Sequence, residues 1–175
     1  PDYNKFLTCK RWDTIHDRYQ ERLDRGDTLL KVGAATGEDL PRAATNVGST
    51  GRLYAFEPDP ENFDCLNKNL DLHAVTTPTT EMVAVSDTAD EAVTFLKKED
   101  SHTTHRMSDA ELGSSREGYS EISVPPTTVD EICANPDIDQ LKMLSITVNR
   151  HEAAVLAGAT ETLKHTQYVV IPYSD

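Results

Sequence analysis

The residues best placed for chemistry lie where apolar runs give way to glycine or acid. Thr28 to Val32 (TLLKV) leads into Gly33-Ala34-Ala35-Thr36-Gly37, and Arg52 to Phe56 (RLYAF) leads into Glu57. A glycine-bounded turn lets the backbone approach a bound group closely, and a helix starting behind it offers unpaired N–H groups. An acid about 20 residues further on, at the end of the next strand, can accept hydrogen bonds from both hydroxyls of a ribose. Gly33, Gly37 and Glu57 stand in that relation, which is the relation of a nucleoside site. A Gly-x-x-x-Gly turn by itself also serves as a plain tight turn. Its place between a strand and a helix, followed by a strand ending Phe56-Glu57-Pro58, is the stronger signal. The turn lacks the Gly-x-Gly-x-x-Gly spacing that a pyrophosphate prefers, which disfavours a nicotinamide-dependent oxidoreductase.

The elements that must position these residues follow a simple rhythm. Trp12, Ile15, Tyr19 and Leu23 recur at three- and four-residue steps, so residues 11–25 read as a helix with that stripe packed on a sheet, ended by Gly26. Strands are expected at 28–32, 52–56 and 83–85, with helices at about 38–46 and 61–72 between them. Strand, helix, strand, helix, strand is the pattern of a parallel doubly wound sheet. Residues 92–96 read as a short strand, 97–120 as a long polar loop or lid, and 121–124 as a strand. A short helix over 127–134 has Thr127 or Thr128 as its N-cap. A strand over 140–148, a helix over 152–163 and a last strand over 167–171 complete the order. The expected organisation is a helical segment over 1–27 and a Rossmann-like α/β domain over 28–175, one domain in all.

Composition narrows the partners. The 175 residues carry 30 Asp and Glu against 17 Lys and Arg, a net charge of −13. Nucleic-acid phosphates and anionic membrane surfaces would be repelled. The acid is spread along the chain and threonine is abundant, as on a halophilic surface. No run is apolar enough to span a bilayer and no signal-peptide pattern is present, so the expected location is cytoplasmic. Cys9, Cys65 and Cys133 have no zinc or disulfide spacing and read as inert thiols.

In order along the chain stand Val-Gly-Ala-Ala-Thr-Gly (32–37), Leu-Tyr-Ala-Phe-Glu-Pro-Asp-Pro-Glu-Asn-Phe (53–63) and Leu-Asn-Lys-Asn-Leu (66–70). Ala-Val-Ser-Asp (84–87), Thr-Val-Asp-Glu-Ile (128–132) and Glu-Ala-Ala-Val-Leu-Ala-Gly-Ala (152–159) follow. With these blocks the chain resembles the FkbM-type S-adenosylmethionine-dependent methyltransferases from about residue 28 to 171. The resemblance implies a class I methyltransferase fold, S-adenosylmethionine as cofactor, and O-methylation of a small or sugar-like hydroxyl acceptor. It puts Gly33, Ala34 and Gly37 beside the methionine part of the cofactor, Glu57 on the ribose, and Ser86 and Asp87 near the adenine.

The chain departs from that family at polar positions. Lys31 stands where the family has Asp, and Ala35 where it has Asn. Thr147-Val148-Asn149-Arg150 replaces an Asp-x-Glu-Gly run, and Pro172 an acid. An ammonium at position 31 repels the cofactor's own cationic groups unless it pairs with Glu57 or Asp39. These losses define the alternative function, a degenerate relative serving as a binding or partner subunit. The family fold also adds a helix and two strands beyond residue 171, which leaves the sheet edge open, shortened or covered by a partner such as a second copy. A hydroxyl acceptor needs a base, and His151, after the fourth main strand, is the candidate. His102 and His105 could supply a base or a metal pair, but two histidines without a third ligand are ordinarily solvated, so no metal is expected. Asp130 and Glu131 read as helix-capping residues, and 97–100 as a solvated charged turn.

Overall fold

The computed structural model describes residues 6–9, 15–90, 92–98, 106–107 and 119–172. The chain runs β1 (Phe6–Cys9), α1 (Ile15–Arg22), β2 (Thr28–Val32), α2 (Leu40–Val47), β3 (Arg52–Phe56), α3 (Pro60–Leu72), β4 (Pro78–Glu81) and β5 (Ala84–Ser86). It continues through β6 (Val93–Lys98), β7 (Arg106–Met107), β8 (Tyr119–Val124), β9 (Pro126–Thr128), α4 (Val129–Cys133), β10 (Met143–Ile146), α5 (Glu152–Ala157), α6 (Thr162–His165) and β11 (Tyr168–Pro172). Six strands form one parallel sheet in the order β1-β11-β10-β2-β3-β4. The order reverses between β2 and β10, and a crevice at the carboxyl ends of those strands is where such sheets hold ligands.

Both faces are covered, which is why the central strands β2 and β10 are buried without alternation. Leu30 and Val32 pack on one face with Val129, Ile138, Leu144, Ile146 and Val155. Leu29 packs on the other with Ile15, Tyr19, Leu23, Ala43 and Val47, which seats α1 and α2 there. Leu40, Leu66 and Leu70 extend that layer to α3. The fold is the doubly wound, Rossmann-like α/β arrangement expected from the alternation.

Several elements differ from the sequence reading. The third strand of the sheet is β4, not the run at 83–85; β5 instead pairs in parallel with β9 in a small second sheet. Pro-Thr-Thr-Glu has no apolar run to announce it, yet an edge strand tolerates proline and alternates half-buried with exposed side chains, as β4 does. The N-terminal segment is not helical throughout: β1 precedes α1 and pairs with β11. The edge beyond β11 is therefore covered from within the chain. Helix α1 ends at Arg22, before the expected residue 25, and Trp12 lies outside the described residues. The strand read at 140–148 is ordered as β only over Met143–Ile146.

The polar stretch 97–120 is not wholly a loop. β6, β7 and β8 form an antiparallel sheet in the order β7-β6-β8, with Lys97 opposite Ser120. His102, His105, Glu99 and Asp100 lie outside the described residues. The helix expected over 152–163 is broken into α5 and α6. A Cβ on Gly158 would sit 2.0 Å from Ser86 O, so glycine lets this corner press against β5. Asp130 then restarts the helix by accepting from Glu161 N at 3.0 Å and Thr162 N at 2.7 Å. Desolvation raises the Asp130 pKa, but the backbone donors of Thr162 and Glu161 outweigh it and hold the carboxyl below its usual value. Thr128, not Thr127, is the N-cap of α4, in a capping box with Glu131.

Candidate functional site

The turn after β2 is built by three kinds of constraint. Gly33 and Gly37 both have φ +75°, a region that L side chains rarely adopt. A Cβ on Gly33 would lie 2.5 Å from Thr147 O, so the ends of β2 and β10 touch at the strand-order reversal. Both Gly33 N and Ala34 N donate to Phe56 O at 3.0 Å, which fastens the turn to the end of β3. Ala35 takes φ 47°, a conformation that asparagine accepts more readily than alanine. Behind the turn, Asn69 on α3 donates to Thr36 O at 2.8 Å.

Glu57 closes the other side. Its Oε2 accepts from Ala35 N at 2.7 Å, and its Oε1 from Asp59 N at 3.1 Å and Asn62 Nδ2 at 3.5 Å. Burial raises its pKa from 4.5 to about 6 against the pull of those donors. Asp59 caps α3 through Asn62 N, and its second oxygen faces Lys97 Nζ at 3.6 Å. Lys97 also pairs with Glu61 at 2.6 Å and is mostly buried. The turn expected to be solvated is thus, at Lys97, a latch between the antiparallel sheet and α3. Desolvation lowers the Lys97 pKa, but Glu61 and Asp59 more than reverse that and raise it.

Lys31 pairs with Asp39, not with Glu57. The ammonium lies 2.8 Å from Asp39 Oδ2, and the two side chains are 4% and 11% exposed. Tyr19 OH donates to the same oxygen at 2.9 Å and stands 2.9 Å from Ser145 Oγ. Asp39 occupies the N-cap of α2 but makes no side-chain cap bond, because its carboxylate faces the lysine. The turn therefore runs on to residue 39, and α2 begins at Leu40 and not near residue 38.

Thr147 buttresses the turn. Its hydroxyl lies 2.6 Å from Gly33 O and 3.2 Å from Val32 O. Arg150 has φ 62°, a region that favours glycine. Beyond it His151 caps no N–H of α5 with its side chain. Instead His151 Nε2 lies 3.0 Å from Ser86 Oγ, and that hydroxyl donates to Asp87 Oδ1 at 2.9 Å.

The expected site residues thus fall into two groups. Gly33, Ala34, Gly37 and Glu57 form one around the turn. Ser86, Asp87 and His151 form a second, where α5 meets β5. Thr147, at the carboxyl end of β10, links them along the chain. Residues that the sequence did not single out are Asn62, Asn69 and Ser145, and Tyr19 was read only as packing on the sheet. For the two asparagines the signal was their place in the 53–63 and 66–70 blocks. Among the described residues no three His, Cys, Asp or Glu side chains are placed to hold a metal, and no helix is long and apolar enough to cross a membrane. Cys65 is exposed and Cys133 partly buried, and burial pushes the Cys133 thiol up.

Residues 31–174 match the model of the methyltransferase FkbM domain. A hexuronic acid methyltransferase, AglP, of Haloferax volcanii is 24% identical over 152 residues, spanning 86% of this chain and 57% of that protein. The 2-O-methyltransferase NoeI of Sinorhizobium fredii is 25% identical over 182 residues, spanning 92% of this chain and 69% of NoeI. The chain thus covers little more than half the length of the first relative. Among solved structures, the methyltransferase FkbM of Methylobacillus flagellatus superposes with a TM-score of 0.51 at 14% identity, covering 85% of this chain and 36% of that one. An S-adenosylmethionine-dependent methyltransferase of Aquifex aeolicus gives 0.51 at 12% identity, covering 94% and 69%.

Proposed function

This chain belongs to the methyltransferase FkbM domain family, and from that premise we propose that it moves a methyl group from S-adenosylmethionine to a hydroxyl of a small or sugar-like acceptor. The observation that carries the reading is the 2.7 Å bond from Ala35 N to Glu57 Oε2. It sets the acid after β3 against the glycine turn after β2, beside the reversal of strand order, which is the arrangement a ribose requires. Oε2 accepts one bond from the chain and keeps a second lone-pair direction for a ligand hydroxyl. The donor set therefore fits a nucleoside, with Glu57 on the ribose and Gly33, Ala34 and Gly37 along the methionine end. When bound, S-adenosylmethionine supplies a methyl group on a cationic sulfur, open to in-line displacement.

The work left to the chain is to align the acceptor and to receive its hydroxyl proton. His151 is the residue for the second task. With the Ser86 proton turned to Asp87, Ser86 Oγ accepts Nε2–H of His151, which puts the basic lone pair on Nδ1. A sugar-like acceptor is favoured by the two relatives, one named for hexuronic acids and one for 2-O-methylation.

Calorimetric titration with S-adenosylmethionine and S-adenosylhomocysteine, at low and molar salt, tests this. Micromolar binding is expected, lost by about 1.5–3 kcal/mol in Glu57→Ala, the worth of a hydrogen bond to a charged group. Transfer to hexuronic acid glycosides then tests the acceptor. A folded protein that binds neither compound in either salt sinks the proposal. It would favour the second reading, a retired site on a partner subunit, for which the replaced polar set at Lys31, Ala35, Thr147 and Asn149 speaks.

A further inference from the structure

Three acids are buried at this end of the sheet: Asp39, Glu57 and Asp59. Asp59 is committed to the start of α3 and to Lys97, and Glu57 to the β3 side of the glycine turn. Asp39 flanks the opposite side of the turn, two residues past Gly37. Lys31 and Tyr19 both bind its Oδ2, while Oδ1 takes no bond among the described residues. Asp39 does not cap α2 although it holds the N-cap position. A carboxylate kept from capping by a buried lysine, with one oxygen to spare beside the proposed methionine end, is suited to a cation.

We infer that Asp39 is the residue that receives the α-ammonium of the methyl donor, and that Lys31 is a positioning residue which holds Asp39 for that task. The inference rests on the proposed function and assigns one part of that site. It also removes the difficulty posed by a lysine at position 31. The lysine charge is directed at Asp39, and the anion presented to the ligand comes from the turn before α2 and not from β2. Tyr19, itself held beside Ser145, limits how far the carboxylate can swing.

The test separates the amino-acid end of the ligand from its nucleoside end. Wild-type protein is titrated calorimetrically with S-adenosylhomocysteine and with 5′-methylthioadenosine, which has the thioether nucleoside but no ammonium or carboxylate. Asp39→Asn should weaken S-adenosylhomocysteine about tenfold to a hundredfold, the range for a charge-assisted bond, and leave methylthioadenosine unchanged. Because Asp39→Asn strands a buried lysine, Lys31→Met/Asp39→Asn, which removes both charges, is titrated beside it and should show the same selective loss. An equal loss for both ligands, or none for either, overturns the assignment while leaving the proposed function standing. Failure of the wild type to bind either ligand removes the proposed function, and the assignment with it.

Discussion

Lys31→Met isolates the buried pair. The substitution keeps an unbranched side chain of similar reach in β2 and deletes the ammonium that lies 2.8 Å from Asp39 Oδ2. Asp39 is then left with the Tyr19 hydroxyl in a site where the two paired side chains are 4% and 11% exposed. Removing one partner of a buried pair costs roughly 3–5 kcal/mol, because the remaining charge is neither solvated nor compensated. Replacing both partners is close to neutral, so Lys31→Met/Asp39→Asn should recover most of that loss. Urea unfolding at neutral pH reads this directly. At a slope of about 2 kcal/mol/M, the single variant should unfold roughly 2 M earlier than wild type and the double variant within about 0.5 M of it. Molar salt should alter the single-variant loss little, since buried charges are poorly screened. A midpoint shift below about 0.5 M for Lys31→Met would refute the reasoning. So would a double variant no better than the single, since the cost would then lie in packing and not in charge.

Glu57 has a folded pKa of about 6 against 4.5 in the unfolded chain. A raised acid pKa gives stability that is complete below pH 4.5 and is lost as pH rises through 6, worth about 2 kcal/mol at 1.36 kcal/mol per unit. Chemical denaturation from pH 4 to 7 should therefore show wild type falling relative to Glu57→Gln by about that amount, and parallel curves would contradict the buried-acid account. Arg150→Gly relieves a φ of 62° that costs a side-chain residue about 1–2 kcal/mol, partly offset by the freedom glycine adds to the unfolded chain. Its melting temperature should match or exceed wild type, and a clear drop would mean that the arginine side chain contributes more than the strain it bears. Asp130→Ala should cost about 1–2 kcal/mol of stability through lost capping of α6 and leave S-adenosylhomocysteine affinity unchanged; altered affinity would give Asp130 a part in the site.

The half of the fold from β2 to α3 was legible because its signals are local. A buried parallel strand is a short apolar run, and glycine, proline and acid mark where the runs stop. β4 was missed for the opposite reason, being polar and proline-initiated on a sheet edge. The break between α5 and α6 was hidden because Gly158 fits a continuous helix as well as a corner, and only the nearness of Ser86 O decides it. The charge at position 31 raised two candidate partners. Choosing Asp39 needed the knowledge that it fails to cap α2. Tyr19 with Ser145, and Ser86 with His151, are 126 and 65 residues apart, so no spacing rule reaches them.

The place of β1 has a bearing on how the sheet assembles. Its partner in the sheet is β11, which lies about 160 residues later, with Phe6 opposite Val169. A strand this far from its partner gains nothing from pairing until β2, β10 and β11 are already side by side, since the intervening loop is otherwise too costly to close. It is therefore expected to pair after the central strands and to open before them. Its release would uncover one edge of β11 while β10, β2 and β3 stay paired, so opening at residues 6–9 is expected to take less free energy than global unfolding. Amide hydrogens of 6–9 should exchange ahead of those of Met143–Ile146, which would make the β11 margin a latch that comes undone without parting β2 from β10.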